Sequence, residues 1–208
     1  MRLYLASTSP ARLATLRAIG IEPVLLASNV DEEAAVVAAA PPTAEAMVEL
    51  LARLKAEAVV GREVDGLPID GFVLGGDSAF ELDDVIYGKP HLPEVARERW
   101  MLQRGREGKL HSGHWLIDHR GGTMNAATGS VATATVKFAD DIGDDEIDSY
   151  IATGEPLEVA GAFTIDSLGA PFIERIVGDP HAVVGLSVAL LRSLLREFGV
   201  PIHDLRNR

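Results

Sequence analysis

The first twenty residues limit the fold more than any other stretch. Leu3-Tyr4-Leu5-Ala6 has the apolar continuity of a buried strand, Ser7-Thr8-Ser9 turns, and Pro10 opens an apolar-periodic segment through Leu13, Leu16 and Ile19 that Gly20 ends. Ser9 suits an N-cap, and Pro10 suits the first helical position, where its missing N–H would have been unpaired anyway. A buried strand that feeds a helix through a short turn points to α/β layering. The first turn of such a helix leaves backbone N–H groups unpaired at the positive end of its dipole. With Ser7, Ser9 and Arg12 alongside, the stretch reads either as a plain capped helix or as a phosphate cradle.

The chain then alternates in the same manner. Residues 24–27 read as a strand beside the first, running into Asp31, Glu32 and Glu33 at its carboxyl end, the edge where open α/β sheets bind ligands. Ala34 to Ala40 is apolar and is stopped by Pro41-Pro42. Its start, Ala34-Ala35-Val36-Val37, fits a buried helix or a surface on which two chains pair as a homodimer. Thr43 caps a helix whose apolar face is Met47, Val48, Leu50, Leu51, Leu54 and Ala58, with Lys55 beside that face. Residues 61–71 read as a surface connection. Phe72-Val73-Leu74 is a strand that ends in Gly75-Gly76, which would place Asp77 at a strand end where the backbone passes close to a ligand.

Phe80-Glu81-Leu82 and Val85-Ile86-Tyr87 pair across Asp83-Asp84 as a hairpin and deliver Gly88-Lys89-Pro90. This lysine is either aimed by its two neighbours or an ordinary loop residue. A helix from Pro93 to about Arg104 would bury Val95, Ala96, Trp100 and Met101. Strands follow over 109–118 and 125–138, a short helix over 144–151, a loop-rich run to Asp166 and a strand over 171–177. Ser187 caps a last helix with Val188, Leu191, Leu194 and Leu195 inward, and residues 204–208 are expected to fray. His111 and His114, three apart on a strand, point to opposite faces and do not make a zinc pair.

Composition narrows the partners. A net charge of −12 disfavours long nucleic acids, whose binding rests on phosphate neutralisation. A small phosphorylated ligand needs only a local group of cations or a bridging metal. With only four lysines, Lys55, Lys89, Lys109 and Lys137, each one inside a motif carries weight. The 208 residues suit a single domain, 1–208, with no apolar run long enough for a membrane span, no leader and no cysteine, so a cytoplasmic location is expected.

The series Ser7, Ser9 and Arg12, Val30-Asp31-Glu32, Asp77-Ser78, Gly88-Lys89-Pro90, Gly154-Glu155-Pro156, Ala160-Gly161 and Val183-Val184-Gly185-Leu186 resembles the Maf family of nucleoside triphosphate pyrophosphatases in order and spacing. The resemblance covers nearly the whole chain. It implies an α/β fold with a mixed, elongated sheet in two lobes around a central cleft, related to the ITPase-like fold. It also implies hydrolysis of a nucleoside triphosphate to monophosphate and pyrophosphate, a house-cleaning activity dependent on Mg²⁺ or Mn²⁺. Asp77 would be the general base, Glu32 and Asp77 the metal ligands, and Ser7, Ser9, Arg12, Lys55, Ser78, Lys89 and Asp166 the substrate contacts.

Departures from the family pattern leave the preferred base open. Ala11 stands where a further arginine is common, Val159 where lysine is common, Asp166 where one branch has a specificity glutamine, and Ser187 where proline is usual. The loss of charge at Ala11 and Val159 motivates an alternative, a catalytically weak nucleotide-binding regulator of cell division.

Overall fold

In the computed structural model, which describes residues 1–208, the elements follow as β1 (Leu3–Ala6), α1 (Pro10–Ala18), β2 (Val24–Leu25), α2 (Glu32–Ala39), α3 (Ala44–Glu57), β3 (Glu63–Val64), β4 (Leu67–Pro68), β5 (Gly71–Leu82), β6 (Val85–Tyr87), α4 (Pro93–Gln103), β7 (Glu107–His119), β8 (Ala126–Phe138), α5 (Asp144–Ala152), β9 (Ile173–Gly178), α6 (Pro180–Val184) and α7 (Val188–Glu197). Seven strands form a sheet in the order β2-β1-β5-β7-β8-β9, with β6 paired to β5. β1 runs parallel to β2 and to β5, whereas β6 on β5 and β9 on β8 are antiparallel, so the sheet is mixed, as expected. No helix is long and apolar enough to cross a membrane.

The chain divides into two compact units. The first comprises Met1–Asp77, Ser112–Ala132 and Gly185–Arg208. Its core joins Leu3 and Leu5 of β1, Leu16 of α1, Phe72 and Leu74 of β5, and Leu191, Leu194 and Leu195 of α7. Each such side chain contributes ~1.5–3 kcal/mol on burial. α7 starts where the sequence places it, since the Ser187 hydroxyl accepts from Leu190 N–H at 3.0 Å.

Several expectations for this unit change. The stretch 61–71 contains a tight hairpin, β3 on β4, turning on Asp65 and Gly66, both at positive φ (54° and 75°). Asp-Gly is a strong hairpin signal that the short, exposed strands obscured. α2 is not a buried helix: none of its residues is buried, and Val37 is 75% exposed. The C-terminus does not fray. Leu205 is buried in the core, Asn207 N–H donates to Gly20 O at 3.1 Å, and the Asn207 amide exchanges two hydrogen bonds with the Glu22 backbone. Those partners lie at the opposite end of the sequence, where local pattern cannot find them.

The second unit comprises Ser78–His111 and Thr133–Val184. Its core is aromatic: Trp100 meets Phe138 edge-on at 5.6 Å and Tyr150 at 5.5 Å, and Phe80 meets Phe163 at 5.3 Å. Edge-to-face pairs of this kind add ~0.5–1.5 kcal/mol beyond area burial. The β5–β6 hairpin forms in the expected register, Phe80 opposite Tyr87 and Leu82 opposite Val85. Asp83 and Asp84 supply the two positive φ angles of its turn. On α4 the buried residues are Ala96, Trp100 and Gln103, and Met101 lies at the surface. Gln103 goes inside because its Nε2 donates to Gly161 O at 2.7 Å, a partner far along the chain.

Candidate active site

Asp77 is not at a strand end. β5 continues to Leu82, and Asp77 sits within it, 8% exposed. The two preceding glycines have their own reasons for being small. A Cβ on Gly75 would lie 2.0 Å from Ala52 O of α3, and one on Gly76 would meet Arg12 Nε at 3.1 Å. Residues i and i+2 of a strand share a face, so Asp77 lies on the Gly75 side, the side on which α3 packs. Lys55 of α3 meets it there.

Lys55 lies within the buried face of α3, one turn after Leu51 and Ala52, and is 7% exposed. Its Nζ is 2.7 Å from Asp77 Oδ1 and 2.8 Å from Glu32 Oε1. Glu32 is the first residue of α2, and the acids around it divide their work: Asp31 caps the helix, accepting from Ala34 N–H at 2.9 Å, and Glu33 is exposed. Glu32 thus reaches Lys55 from a mostly solvated position, its side chain 50% exposed.

Arg12 brings the second cation. It is buried, its Nε donates to Gly185 O at 2.8 Å, and its Nη1 donates to the Ser7 hydroxyl at 3.2 Å. The Ser7 hydroxyl also accepts from Ser9 N–H at 3.2 Å, and the Ser9 hydroxyl caps α1, accepting from Arg12 N–H at 3.4 Å. Both serines thereby order the turn and hold Arg12 in register.

The electrostatics follow from burial. Desolvation pushes the Asp77 carboxyl above its ordinary value; the charges of Lys55 and Arg12 pull it back without cancelling the rise, and Glu32 adds to it. Arg12 is lowered by burial, against the attraction of Asp77 and Glu32, and remains charged, as guanidinium does in proteins. A buried carboxylate with a raised proton affinity beside two cations is suited to taking a proton and to facing an anion.

Of the residues expected at the site, the first unit therefore brings together Ser7, Ser9, Arg12, Glu32, Lys55 and Asp77. Ser78, Lys89 and Asp166 belong to the second unit. Ser78 follows Asp77 in β5 and is half-buried. Lys89 is about half exposed, with Glu158 Oε2 4.0 Å from its Nζ. Asp166 is exposed in the loop between Thr164 and Gly169.

His111 and His114 are both buried, and each has its own partners. His111 meets Thr133 Oγ1 at 2.9 Å and Glu81 Oε2 at 2.8 Å. His114 Nε2 accepts from Ser187 N–H at 2.9 Å, which leaves Nδ1–H to donate to Ser112 O at 3.0 Å.

Glu155, which stands in the Gly154-Glu155-Pro156 motif, has a role as a loop acceptor that was not legible. Glu155 Oε1 accepts from the hydroxyls of Tyr150 (2.9 Å) and Thr164 (2.6 Å) and from Gly169 N–H (3.2 Å). Its Oε2 accepts from the Ser167 hydroxyl (2.6 Å) and Leu168 N–H (3.4 Å). Partial burial works against the charge, but the Ser167, Thr164 and Tyr150 hydroxyls outweigh it and hold Glu155 below its ordinary value. Beyond that motif, the hint in the sequence was the density of hydroxyls and glycine over residues 164–169.

Comparison with known proteins identifies the family and the fold. The family model described as Maf-like protein matches residues 2–198. A nucleoside triphosphate pyrophosphatase of Leifsonia xyli subsp. xyli is 66% identical over 212 residues, covering 100% of this chain and 98% of its own. One of the same name from Salinispora tropica is 52% identical, covering 100% of this chain and 88% of its own. Among solved structures, the Staphylococcus aureus Ham1 protein matches with a TM-score of 0.51 at 13% identity, over 95% of this chain and 100% of that one, a likeness of fold.

Proposed function

The chain belongs to the Maf family, and we propose that it is a nucleoside triphosphate pyrophosphatase, releasing a nucleoside monophosphate and pyrophosphate. The observation that carries this reading is the buried Asp77 held 2.7 Å from Lys55, which in turn reaches Glu32 at 2.8 Å, with Arg12 close enough to act on Asp77 electrostatically. Asp77 accepts a proton from the water that attacks the α-phosphorus. The new bond joins water oxygen to phosphorus, the bond from phosphorus to the α–β bridging oxygen breaks, and pyrophosphate leaves with that oxygen. Lys55 and Arg12 offset the charge that builds on the phosphate oxygens, typically the largest catalytic contribution.

A divalent cation, Mg²⁺ or Mn²⁺, fits the donor set. Glu32 and Asp77 are hard carboxylate donors that both approach one ammonium nitrogen, so a single cation is already accommodated between them. Two carboxylates against Lys55 and Arg12 leave the cluster nearly neutral, and a triphosphate calls for more positive charge. When bound, the ion would supply it and polarise phosphate oxygens. Ser7 and Ser9 hold the turn that carries Arg12, and the N-terminus of α1 favours an anion. We assign Ser78, Lys89 and Asp166 as further substrate contacts, on their residue chemistry and their place in the motif series.

The test incubates the protein with ordinary and modified nucleoside triphosphates and Mg²⁺ or Mn²⁺, and resolves pyrophosphate from orthophosphate. Pyrophosphate together with monophosphate is expected from at least one substrate. Release of orthophosphate first, or undiminished turnover by Asp77→Asn, overturns the reading.

A further inference from the structure

We infer that Arg99 is a positioning residue: it fixes the Gly88-Lys89-Pro90 turn so that Lys89 is presented to the polyphosphate. The inference rests on Lys89 being a substrate contact. Everything else in it lies within the second unit.

Lys89 follows β6 and precedes α4. The turn has no regular hydrogen-bonded structure of its own, yet it is held from both sides. Upstream, the Arg99 Nη1 of α4 donates to Gly88 O, and the same guanidinium lies 5.5 Å from the centroid of the Tyr87 ring. A planar guanidinium can do both at once, stacking on an aromatic face while its edge donates. Downstream, His91 N–H donates to Leu157 O at 3.1 Å, Leu92 N–H donates to Pro90 O at 2.7 Å, and Pro90 is buried. His91 takes a positive φ of 60°, which reverses the chain into α4. The carbonyls and amides flanking Lys89 are therefore anchored, while its own side chain is 52% exposed.

Its one acidic neighbour holds it loosely. Glu158 Oε2 is 4.0 Å from Nζ, with both side chains more than half exposed, and exposed pairs of this kind contribute little. A phosphate can displace Glu158 without breaking a buried contact. This contrasts with Lys137, whose Nζ is committed to Gly105 O at 2.6 Å. Pre-organised backbone with a loosely held ammonium is the arrangement that lowers the ordering cost of binding a polyanion.

The experiment is a double-mutant cycle of Arg99→Ala and Lys89→Met, reading KM and kcat for the preferred triphosphate, with hydrogen exchange of the unliganded protein over residues 87–91. Arg99→Ala is expected to lower kcat/KM about tenfold, chiefly through KM, when Lys89 is present, and to have almost no further effect in Lys89→Met, because acting through a shared partner makes the effects non-additive. Exchange over 87–91 should accelerate in Arg99→Ala, and Arg99→Lys, which retains a donor for Gly88 O, should recover part of both readouts. An equal cost of Arg99→Ala in both backgrounds, or unaltered exchange, overturns the positioning role while leaving Lys89 at the site. Full activity of Lys89→Met removes Lys89 from the substrate contacts and overturns the inference with it.

Discussion

Two carboxylates, Asp77 in the first unit and Glu155 in the second, are each enclosed by several polar partners, and their proton affinities move in opposite directions. Asp77 is almost wholly buried and is opposed by charges: burial dominates and raises it. Glu155 is less buried and accepts hydrogen bonds from three hydroxyls and two backbone N–H groups; these dominate and lower it. Salt-bridge partners do not decide the outcome by themselves. Donors that point at the charged form stabilise it without bringing a competing desolvated charge, whereas an ammonium shared with Glu32 compensates Asp77 only in part. The first arrangement suits a base, the second an anchor for the loop 164–169.

The sharpest way to break this comparison is to remove each carboxylate in turn. Asp77→Asn should lower kcat by roughly 10²–10⁴-fold, the usual contribution of a general base, while the protein still melts cooperatively. Glu155→Ala should do the reverse, costing about 2–4 kcal/mol of stability in urea titrations because several donors lose their acceptor together. Large activity loss without destabilisation in Glu155→Ala would show that the anchor also touches the chemistry.

A smaller effect separates the two by pH. As the proposed base, Asp77 has to be unprotonated, so kcat/KM should fall as pH drops into the acid range, and that limb should vanish in the residual activity of Asp77→Asn. Glu155 has a lowered folded-state value, so the stability it lends is present above its unfolded value and is lost as pH falls through the folded one. Melting curves at acid pH should therefore flatten in Glu155→Gln relative to the parent.

Next comes the loop itself: a Cβ on Gly169 would lie 2.7 Å from both Thr164 O and the Tyr150 hydroxyl. Gly169→Ala should cost about 1–3 kcal/mol as the loop adjusts. Smallest of all, Arg97→Ala removes exposed pairs with Asp144 and Asp148 and should leave melting and activity within experimental error.

Much of the site could be read from the chain, but for different reasons at different residues. Ser9 and Pro10 reveal the start of α1 through local cap chemistry, and Arg12 follows from being in its first turn. Asp77 was legible as important and misplaced as to why. The glycines before it look like an opening for a ligand, whereas Gly75 makes room for Ala52 O of α3 and Gly76 for Arg12. Lys55 was placed beside the apolar face of α3 because a lysine is not expected inside it; the pairing with Asp77 and Glu32 is what permits its burial. Gln103 was missed, and Glu155 was seen in its motif but not as a loop acceptor, because each is explained by partners that only the folded chain assembles.

The sequence by itself determined the alternation of strands and helices, the caps at Ser9, Thr43 and Ser187, the Asp83-Asp84 hairpin and, through the motif series, the family. Local backbone preferences and apolar periodicity act over a few residues and leave their mark there. The tertiary structure alone decided that Asp77 lies inside a strand, that Lys55 bridges it to Glu32, that the C-terminal turn is pinned to residues 20–22, and that Glu155 ties a loop. Burial and long-range hydrogen bonds set those features, and both depend on which distant segments the fold brings together.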